Sequence, residues 1–285
     1  MNDAHARLLL MSILEPGTTF WAEEIEKQGA AGVYEKFSNR TYDPIKYGAL
    51  YEKLQKVNAE KLEEEIARAG AELLTPGHEY WPSAVDELAA PPIGLLVKGN
   101  LDALTFDSLA IVGTRNPTPY GIRIAGDFAA GFADRGWSIT SGGAYGIDTA
   151  AHKGALVAEG PTIAVIASGI DVEYLLGNSR LFAEILENGA IVSESLPGVP
   201  ALPHRFLTRN RLIAAMSRST LVVEAAFRSG SLRTARDAAE LMRPVMAIPG
   251  PINSPSSDGC HRLIGERCAE IVTSVTDALE LISSL

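Results

Sequence analysis

The sequence predicts an α/β protein in which an extended, Rossmann-like, doubly wound and mostly parallel sheet follows a small helical N-terminal domain. Strand, glycine-bearing turn and helix follow one another twice between Ser108 and Leu156, which is the βαβ signature of parallel strands. The same alternation continues towards the C-terminus and gives about seven or eight strands. The helical spacing of apolar residues before Gly70 predicts the small domain.

The N-terminal segment is predicted to be mostly helical. Apolar residues from Ala6 to Ile13 form one stretch that Glu15-Pro16-Gly17 interrupts, and residues 47–69 read as one amphipathic helix with a solvated acidic face. A loop containing proline and glycine follows that helix. We therefore predict a small helical domain at residues 1–75 and an extended Rossmann-like domain at residues 76–285.

In the larger domain, short apolar runs alternate with segments of helical period. A proline-rich loop, Glu194–Phe206, interrupts this alternation, and a loop of that length inside a compact domain is usually functional. The predicted strands are residues 93–97, 109–112, 137–140, 162–167, 190–193, 221–223, 245–248 and 270–273. The predicted helices are residues 120–133, 146–158, 178–188, 207–216, 232–242, 259–266 and a last one from residue 275.

Composition and cysteine usage narrow the class of protein. Of the 285 residues, 46% are hydrophobic and 21% are charged, which is typical of a soluble globular protein. The sequence shows neither a signal peptide nor a membrane-spanning run, so we expect a cytoplasmic protein without membrane insertion. Cys260 and Cys268 cannot build a disulfide framework. Cys260-His261 with Cys268 lacks the four-ligand spacing of a structural metal site, so no metal is predicted.

The charge of the chain is unevenly distributed. The net charge is −10, of which residues 1–107 carry −8 and residues 108–285 carry −2. Within the second part, residues 200–245 hold eight arginines and three acids, a local balance of +5. A basic face of this kind attracts a polyanion even when the total charge is negative.

Two glycine-bearing turns follow predicted strands and lead into helices, an arrangement that suits a phosphate. Gly113 and Arg115 lie in the first turn, where a guanidinium can bind a phosphate with two donors; a solvated surface arginine is the alternative. Ser141-Gly142-Gly143-Ala144 forms the second turn, which is either a backbone nest for one phosphate or a place where glycines are needed only for tight packing. Neither turn has the G-x-G-x-x-G pattern, so no dinucleotide or other cofactor is predicted.

Two further segments combine cations with residue types that bind phosphates. His204–Arg211 interleaves arginines with Phe206, which is the composition of a groove that tracks a nucleic-acid strand. Phe206 is equally compatible with a role in the core. Ser229-Gly230-Ser231, flanked by Arg228 and Arg233, opens a predicted helix and forms a second phosphate-sized cluster.

Eight motifs of the larger domain occur in a fixed order. They are A-I-V-G-T-R-N-P-T-P-Y-G at 110–121, S-G-G-A-Y-G-I-D-T-A-A-H at 141–152, T-I-A-V-I-A-S-G-I-D at 162–171, S-E-S-L-P-G at 193–198, F-L-T-R-N-R-L-I-A at 206–214, V-V-E-A at 222–225, S-G-S-L at 229–232 and I-P-G at 248–250. Together they resemble the DprA/Smf family, the bacterial DNA-processing proteins of natural transformation. The resemblance covers the larger domain almost from end to end.

This resemblance implies a function. The family has an extended Rossmann fold behind a small helical domain, binds single-stranded DNA without strong sequence preference, protects incoming strands, forms dimers and helps to load the recombinase RecA. It is not known as an enzyme, so no enzymatic activity is predicted. The residues that the resemblance assigns to the DNA pocket are Arg115, Ser141, Gly142, Gly143, Lys153, Arg205, Phe206, Arg209, Asn210, Arg228 and Arg233. The turns themselves add Gly113, Ser229 and Gly230.

The sequence departs from the family pattern at three places. Many members end in a winged-helix-like domain, which we do not predict here. His261 and Arg262 stand where an asparagine and a variable residue are common. Leu175-Leu176 follows Tyr174 where the family usually continues with Tyr-Pro.

Enzymatic readings remain as alternatives. Asp148 and His152 lie four residues apart on one predicted helix and allow an acid–base dyad; we favour a structural or capping role because no nucleophile is adjacent. Related Rossmann-like phosphoribohydrolases carry P-G-G-x-G-T-x-x-E, which is absent, and Glu224 before Ser229-Gly230-Ser231 is only a faint echo of it. A protein-interaction scaffold with a vestigial pocket is a third reading.

Overall fold

The larger part of the chain forms one mixed sheet, which confirms the predicted α/β class. The structure is a computed structural model that describes residues 2–172 and 176–284. Within these residues the sheet has nine strands in the order β1-β2-β6-β5-β4-β3-β7-β8-β9. The strands are β1 Glu72–Leu74, β2 Leu95–Gly99, β3 Ser108–Val112, β4 Ser138–Ser141, β5 Thr162–Val165, β6 Ala190–Ser193, β7 Ser219–Val222, β8 Val245–Ala247 and β9 Glu270–Ile271.

The strand order reverses at β3. From β3 the chain adds β4, β5 and β6 on one side, then returns to add β7, β8 and β9 on the other, all in parallel. Two antiparallel strands extend the edge beside β6, because β2 pairs with β6 and β1 pairs with β2. Open α/β sheets bind ligands at the carboxyl ends of the strands, where the order reverses. The ends of β3 and β7 are therefore the place where a site is expected.

Helices cover both faces of the sheet and build the N-terminal domain. They are α1 Asp3–Ile13, α2 Thr19–Ser38, α3 Pro44–Lys56, α4 Ala59–Arg68, α5 Pro119–Ala133, α6 Ile147–Val157, α7 Ser179–Asn188, α8 Pro203–Ala215, α9 Ser231–Glu240, α10 Asp258–Gly265 and α11 Val275–Ser283. Because the central strands are buried on both faces, they read in the sequence as continuous apolar runs.

Two helix predictions were wrong. Residues 47–69 do not form one helix, because Asn58 accepts a hydrogen bond from the Lys61 N–H and begins α4 as a new helix. The predicted loop Glu194–Phe206 ends earlier than expected, because α8 begins at Pro203 and not at Leu207. Proline fits the first turn of a helix, where its missing N–H has no intrahelical partner. Arg205 and Phe206 consequently lie on the first turn of α8.

The core is divided by the sheet. One layer packs α8, α9 and α10 against it, and the other packs α5, α6 and α11. Trp81 and Val85, in the segment between β1 and β2, join the first layer. A separate cluster around Trp21 and Phe37 holds the N-terminal helices together. The domain boundary at residue 75 stays a prediction, although β1 already belongs to the sheet.

Within the described residues, none of the helices has the length and apolar character needed to cross a bilayer. Of the departures from the family pattern, Tyr174 and Leu175 lie outside the described residues.

Candidate functional site

A cleft of about 360 Å³ lies at the carboxyl ends of β3 and β7. Its walls are the turn after β3, the first half of α8, and the turn that leads into α9. Seven of the residues predicted for the site line this cleft: Gly113, Arg115, Phe206, Arg209, Asn210, Ser229 and Gly230. The structure therefore brings together residues from three segments that are far apart in the sequence.

The turn after β3 is fixed by the end of β7. The Thr114 N–H donates to the carbonyl oxygen of Glu224 (2.7 Å). The carboxylate of Glu224, which is buried, accepts from the Thr118 N–H (2.8 Å) and the Thr118 hydroxyl (2.6 Å). A Cβ on Gly113 would lie 2.6 Å from Ile147 Cγ1 and 2.7 Å from the Glu224 carbonyl oxygen, so only glycine fits there. These contacts hold Arg115 at the mouth of the cleft.

An aromatic ring lies close to two guanidinium groups in the cleft. The Phe206 ring centroid is 5.4 Å from Arg115 Cζ and 6.0 Å from Arg209 Cζ. Phe206 and Arg209 share one face of α8 because residues three apart are neighbours on a helix. Arg115 is exposed, whereas Arg209 is buried. The ring thus has an accessible cation and a buried cation as neighbours.

The positive charge of Arg209, in the floor of the cleft, is opposed by the buried carboxylate of Asp148. Burial lowers the pKa of Arg209 to about 10, and the negative charge of Asp148 opposes that shift. Burial raises the pKa of Asp148, and the charge of Arg209 opposes that shift in turn. Among the described residues, Arg209 Nε has no hydrogen-bond partner. The guanidinium of Arg209 lines the cleft, and a buried cation in that place is suited to an anionic ligand.

Two backbone donors of the predicted phosphate nest at Ser141-Gly142-Gly143-Ala144 are already hydrogen-bonded to the protein itself. The N–H groups of Gly142 and Ala144 donate to Asp148 Oδ2, at 3.2 and 3.3 Å. The hydroxyl of Ser141 donates to the Ile111 carbonyl (2.6 Å). The prediction of free backbone donors at this turn is therefore wrong for Gly142 and Ala144. A Cβ on Gly142 would overlap the Arg209 guanidinium, so this glycine serves the close approach of Arg209.

The N-terminus of α9 faces the cleft from the opposite side. Ser229 and Ser231 share a hydrogen bond between their hydroxyl groups (2.7 Å). Asn210 donates from Nδ2 to the Gly230 carbonyl (3.2 Å) and so connects α8 to this turn. The positive end of the α9 dipole adds to the two guanidinium groups.

Comparison with known proteins identifies the family. A model of the family described as DNA recombination-mediator protein A matches residues 72–283. The chain belongs to this family. It is 44% identical over 233 residues to DNA processing protein DprA of Mycobacterium tuberculosis, which covers 77% of this chain and 60% of the relative. The chain thus spans well under two thirds of the length of that curated relative.

Solved structures of DprA proteins have the same fold. The crystal structure of DprA from Streptococcus pneumoniae matches with a TM-score of 0.84 and 34% identity, covering 98% of both chains. A structure of the Helicobacter pylori protein, described for its single-stranded DNA binding mode, matches with a TM-score of 0.68 and 30% identity. This second match covers 76% of this chain and 98% of that one. The predicted DprA/Smf membership is confirmed.

Seven residues that the DprA/Smf resemblance assigned to the pocket do not line the cleft. Three of them, Ser141, Gly142 and Gly143, form the turn after β4 described above, and the other four lie elsewhere. Arg205 forms an ion pair with Glu15 of the N-terminal domain (Nη2 to Oε1, 2.9 Å). Arg233 pairs with Asp237 (2.7 Å). Lys153 is exposed on α6, and Arg228 is exposed in the turn before α9. The side chains of Arg205 and Arg233 are thus engaged by acids of the protein itself.

A second cavity of about 260 Å³ lies beside the cleft of this DprA family member. Phe206 and Ala144 line both spaces. The other walls of the second cavity are mostly apolar, with Ile166, Phe182 and Ile191 among them. Sequence reasoning missed it because isolated apolar residues at strand ends look the same as core residues.

Asp148 and His152 do not form a dyad. Asp148 holds the turn after β4, as described above, and His152 Nδ1 lies 2.7 Å from Thr162 Oγ1. Both contacts are structural, as the sequence suggested. Cys260 is likewise buried, and burial raises the pKa of its thiol to about 12. Within the described part of the chain, no group of three or more His, Cys, Asp or Glu residues is placed to hold a metal.

Burial of His152 predicts a loss of stability in acid. Burial lowers its pKa to about 3, whereas in the unfolded chain it titrates near about 6.5. The unfolded state therefore gains a proton first as the pH falls, and the free energy of unfolding should drop by about 2 kcal/mol between pH 7 and pH 5. Urea unfolding of the parent and of His152→Asn at both pH values measures this contribution.

His152→Asn should lose that part of the pH dependence. The exposed His204 offers a matched control, because His204→Asn removes a histidine without altering the core. The same pH dependence in the parent and in His152→Asn would contradict the prediction.

Proposed function

We propose that this DNA recombination-mediator family member binds single-stranded DNA in the cleft at the ends of β3 and β7. The observation that carries the proposal is the convergence of the Phe206 ring with the guanidinium groups of Arg115 and Arg209, which lie 5.4 and 6.0 Å from its centroid in one cleft. Cations that meet phosphates and a ring that stacks on a base are what a site for unpaired strands requires. A paired base buries its faces in the helical stack, so duplex DNA is excluded from such a ring.

The residues of the cleft have different roles in the proposed binding of DNA. Arg115 is exposed at the mouth and meets a phosphate first. Arg209 supplies positive charge from the floor, and the α9 N-terminus with Ser229 supplies further donors. None of these groups reads a base edge in a fixed pattern, so binding tolerates any sequence.

Several finer statements rest on the same proposal. We infer that the protein protects incoming single strands, loads RecA for homologous recombination in natural transformation, and acts as a cytoplasmic homodimer. Family membership and the single-stranded DNA described for the Helicobacter pylori relative support this inference. The dimer face is proposed to lie in the C-terminal half of the sheet domain.

Fluorescence anisotropy with labelled oligo-dT tests the proposal. Arg115→Ala and Phe206→Ala should each weaken binding by about 10-fold or more, because stacking contributes about 1–3 kcal/mol per base and a phosphate contact is lost. Loss of Arg115 should also lower the slope of log affinity against log salt by about 1. Duplex of equal length should not displace the oligonucleotide.

Arg135 supplies a matched control. It is exposed at the end of α5, on the opposite edge of the sheet from the cleft. Arg135→Ala should bind like the parent. If the parent does not bind oligo-dT at low salt, or if Arg115→Ala binds as tightly as the parent, the cleft is not the site.

We also propose that the protein has no hydrolase activity. The carboxylate of Glu224, the residue that echoed the phosphoribohydrolase motif, accepts hydrogen bonds from Thr118 and from the Ser256 hydroxyl (3.4 Å). These hydrogen bonds fix the turn after β3, so the carboxylate of Glu224 has a structural role. Release of free base from a nucleoside monophosphate would overturn this part of the proposal.

A further inference from the structure

The turn between β7 and α9 projects beyond the cleft that it lines. Ala226, Ser229 and Gly230 form part of the cleft wall. Between them, Phe227 and Arg228 are exposed, and Phe227 keeps 52% of its surface accessible. A strand lying in the cleft passes directly beside these two residues if it leaves on this side.

The exposed ring is held in place by an arginine of another helix. Arg262 of α10 lies over it, with Cζ 4.5 Å from the ring centroid. The start of α10 is itself fixed against the turn, because the Gly259 N–H donates to the Ala225 carbonyl (2.7 Å). An aromatic ring with a cation on one face and solvent on the other is a stacking platform that costs little to order on binding.

The charge around this ring favours a polyanion. Arg262 and Arg236 both pair with Glu266, at 2.6 and 3.1 Å. One acid is thus shared by two arginines, and Arg228 adds a further exposed cation; Asp258, at the start of α10, is the nearby opposing charge. The balance is positive, as in the cleft, so the same strand is attracted by both surfaces.

We propose that Phe227, Arg228 and Arg262 form a second subsite for single-stranded DNA, at which the strand leaves the cleft. A base stacks on the free face of Phe227, and Arg228 meets the adjoining phosphate. The proposal rests on the proposed function, because it extends the path of the strand bound at Phe206. Continuity with the cleft wall and the matching charge select a DNA strand as the occupant.

Oligonucleotides of two lengths test the subsite. A short oligo-dT of four nucleotides is chosen to occupy the cleft alone, whereas one of twenty nucleotides also reaches Phe227. Phe227→Ala should weaken binding of the twenty-nucleotide strand about 5- to 10-fold, the effect of one lost stack, and should change binding of the short strand by less than about 2-fold. Phe227→Tyr should keep the parent affinity, because its ring stacks equally well.

Phe106 provides the matched control. It is an exposed phenylalanine that precedes β3, at the amino ends of the strands and away from the cleft. Phe106→Ala should bind both oligonucleotides like the parent. If Phe227→Ala binds the long strand like the parent while Arg115→Ala binds it weakly, the subsite is refuted and the proposed function stands. If the parent binds neither strand, the proposed function itself fails.

Discussion

Replacing Asp148 by alanine is expected to lower the free energy of unfolding by about 3–5 kcal/mol, because two backbone donors lose their acceptor and a buried guanidinium loses an opposing charge. Asp148 is buried beneath the cleft and balances the buried guanidinium of Arg209. Its Oδ2 also accepts the N–H groups of Gly142 and Ala144. The substitution leaves one buried charge and two backbone donors without a partner. Urea unfolding at pH 7 measures the loss.

A double-mutant cycle attributes the loss to the pair. The Asp148→Ala/Arg209→Ala variant should lose less free energy of unfolding than the sum of the losses of the two single variants. We expect a coupling energy of about 1–3 kcal/mol. Asp127→Ala is the matched control, because Asp127 is exposed on α5 and should change stability by less than about 0.5 kcal/mol. A loss below about 1 kcal/mol for Asp148→Ala would show that the charge of Arg209 is balanced by other groups.

The sheet was predictable because its central strands are buried on both faces. The segment from β3 to α6 reads directly from the sequence, since short β-branched runs end in glycine turns and lead into helices of regular period. The very short strand β1 was not predicted. It has three residues and depends on antiparallel pairing with β2. No local sequence pattern indicates such a pairing.

The errors at the helices have a local cause. Asn58 divides the predicted helix 47–69, yet asparagine is also tolerated on a solvated helix face, so its capping role was hidden. The sequence places Pro203 in a predicted loop, although proline suits a helix start as well as a loop. In both cases one residue type fits two conformations, and tertiary contacts decide between them.

The position of the cleft was predictable from the sequence, but its side-chain contacts were predictable only in part. Parallel strands bring their carboxyl ends to one edge, so Gly113, Phe206 and Gly230 converge as expected. Sequence spacing cannot show that Asp148 occupies the donors of the Gly142 turn, or that Arg205 turns away to Glu15. Those outcomes depend on side-chain partners that lie far away in the chain.

The hydrogen bonds that clamp Thr118 to the carboxylate of Glu224, here called the clamp, predict a second large effect, on stability and on DNA binding together. Glu224→Ala removes the acceptor of the Thr118 N–H and hydroxyl, contacts that join residues 106 positions apart in the chain. Hydrogen bonds to a charged group contribute about 1.5–3 kcal/mol each, so the free energy of unfolding should fall by about 3 kcal/mol. Because the clamped turn carries Arg115, affinity for oligo-dT should fall about 10-fold as well, as for loss of a phosphate contact. Urea unfolding and fluorescence anisotropy measure the two effects.

Glu187→Ala is the matched control, since Glu187 is an exposed glutamate near the end of α7. It should leave both stability and affinity at the parent values. A loss of stability together with a loss of affinity distinguishes a structural glutamate from a catalytic one. A catalytic carboxylate is usually replaceable with little loss of stability, because its bonds are made to the substrate and not to the fold. If Glu224→Ala unfolds like the parent, the clamp is not what positions Arg115. A catalytic role of Glu224 in a hydrolase would then be supported instead.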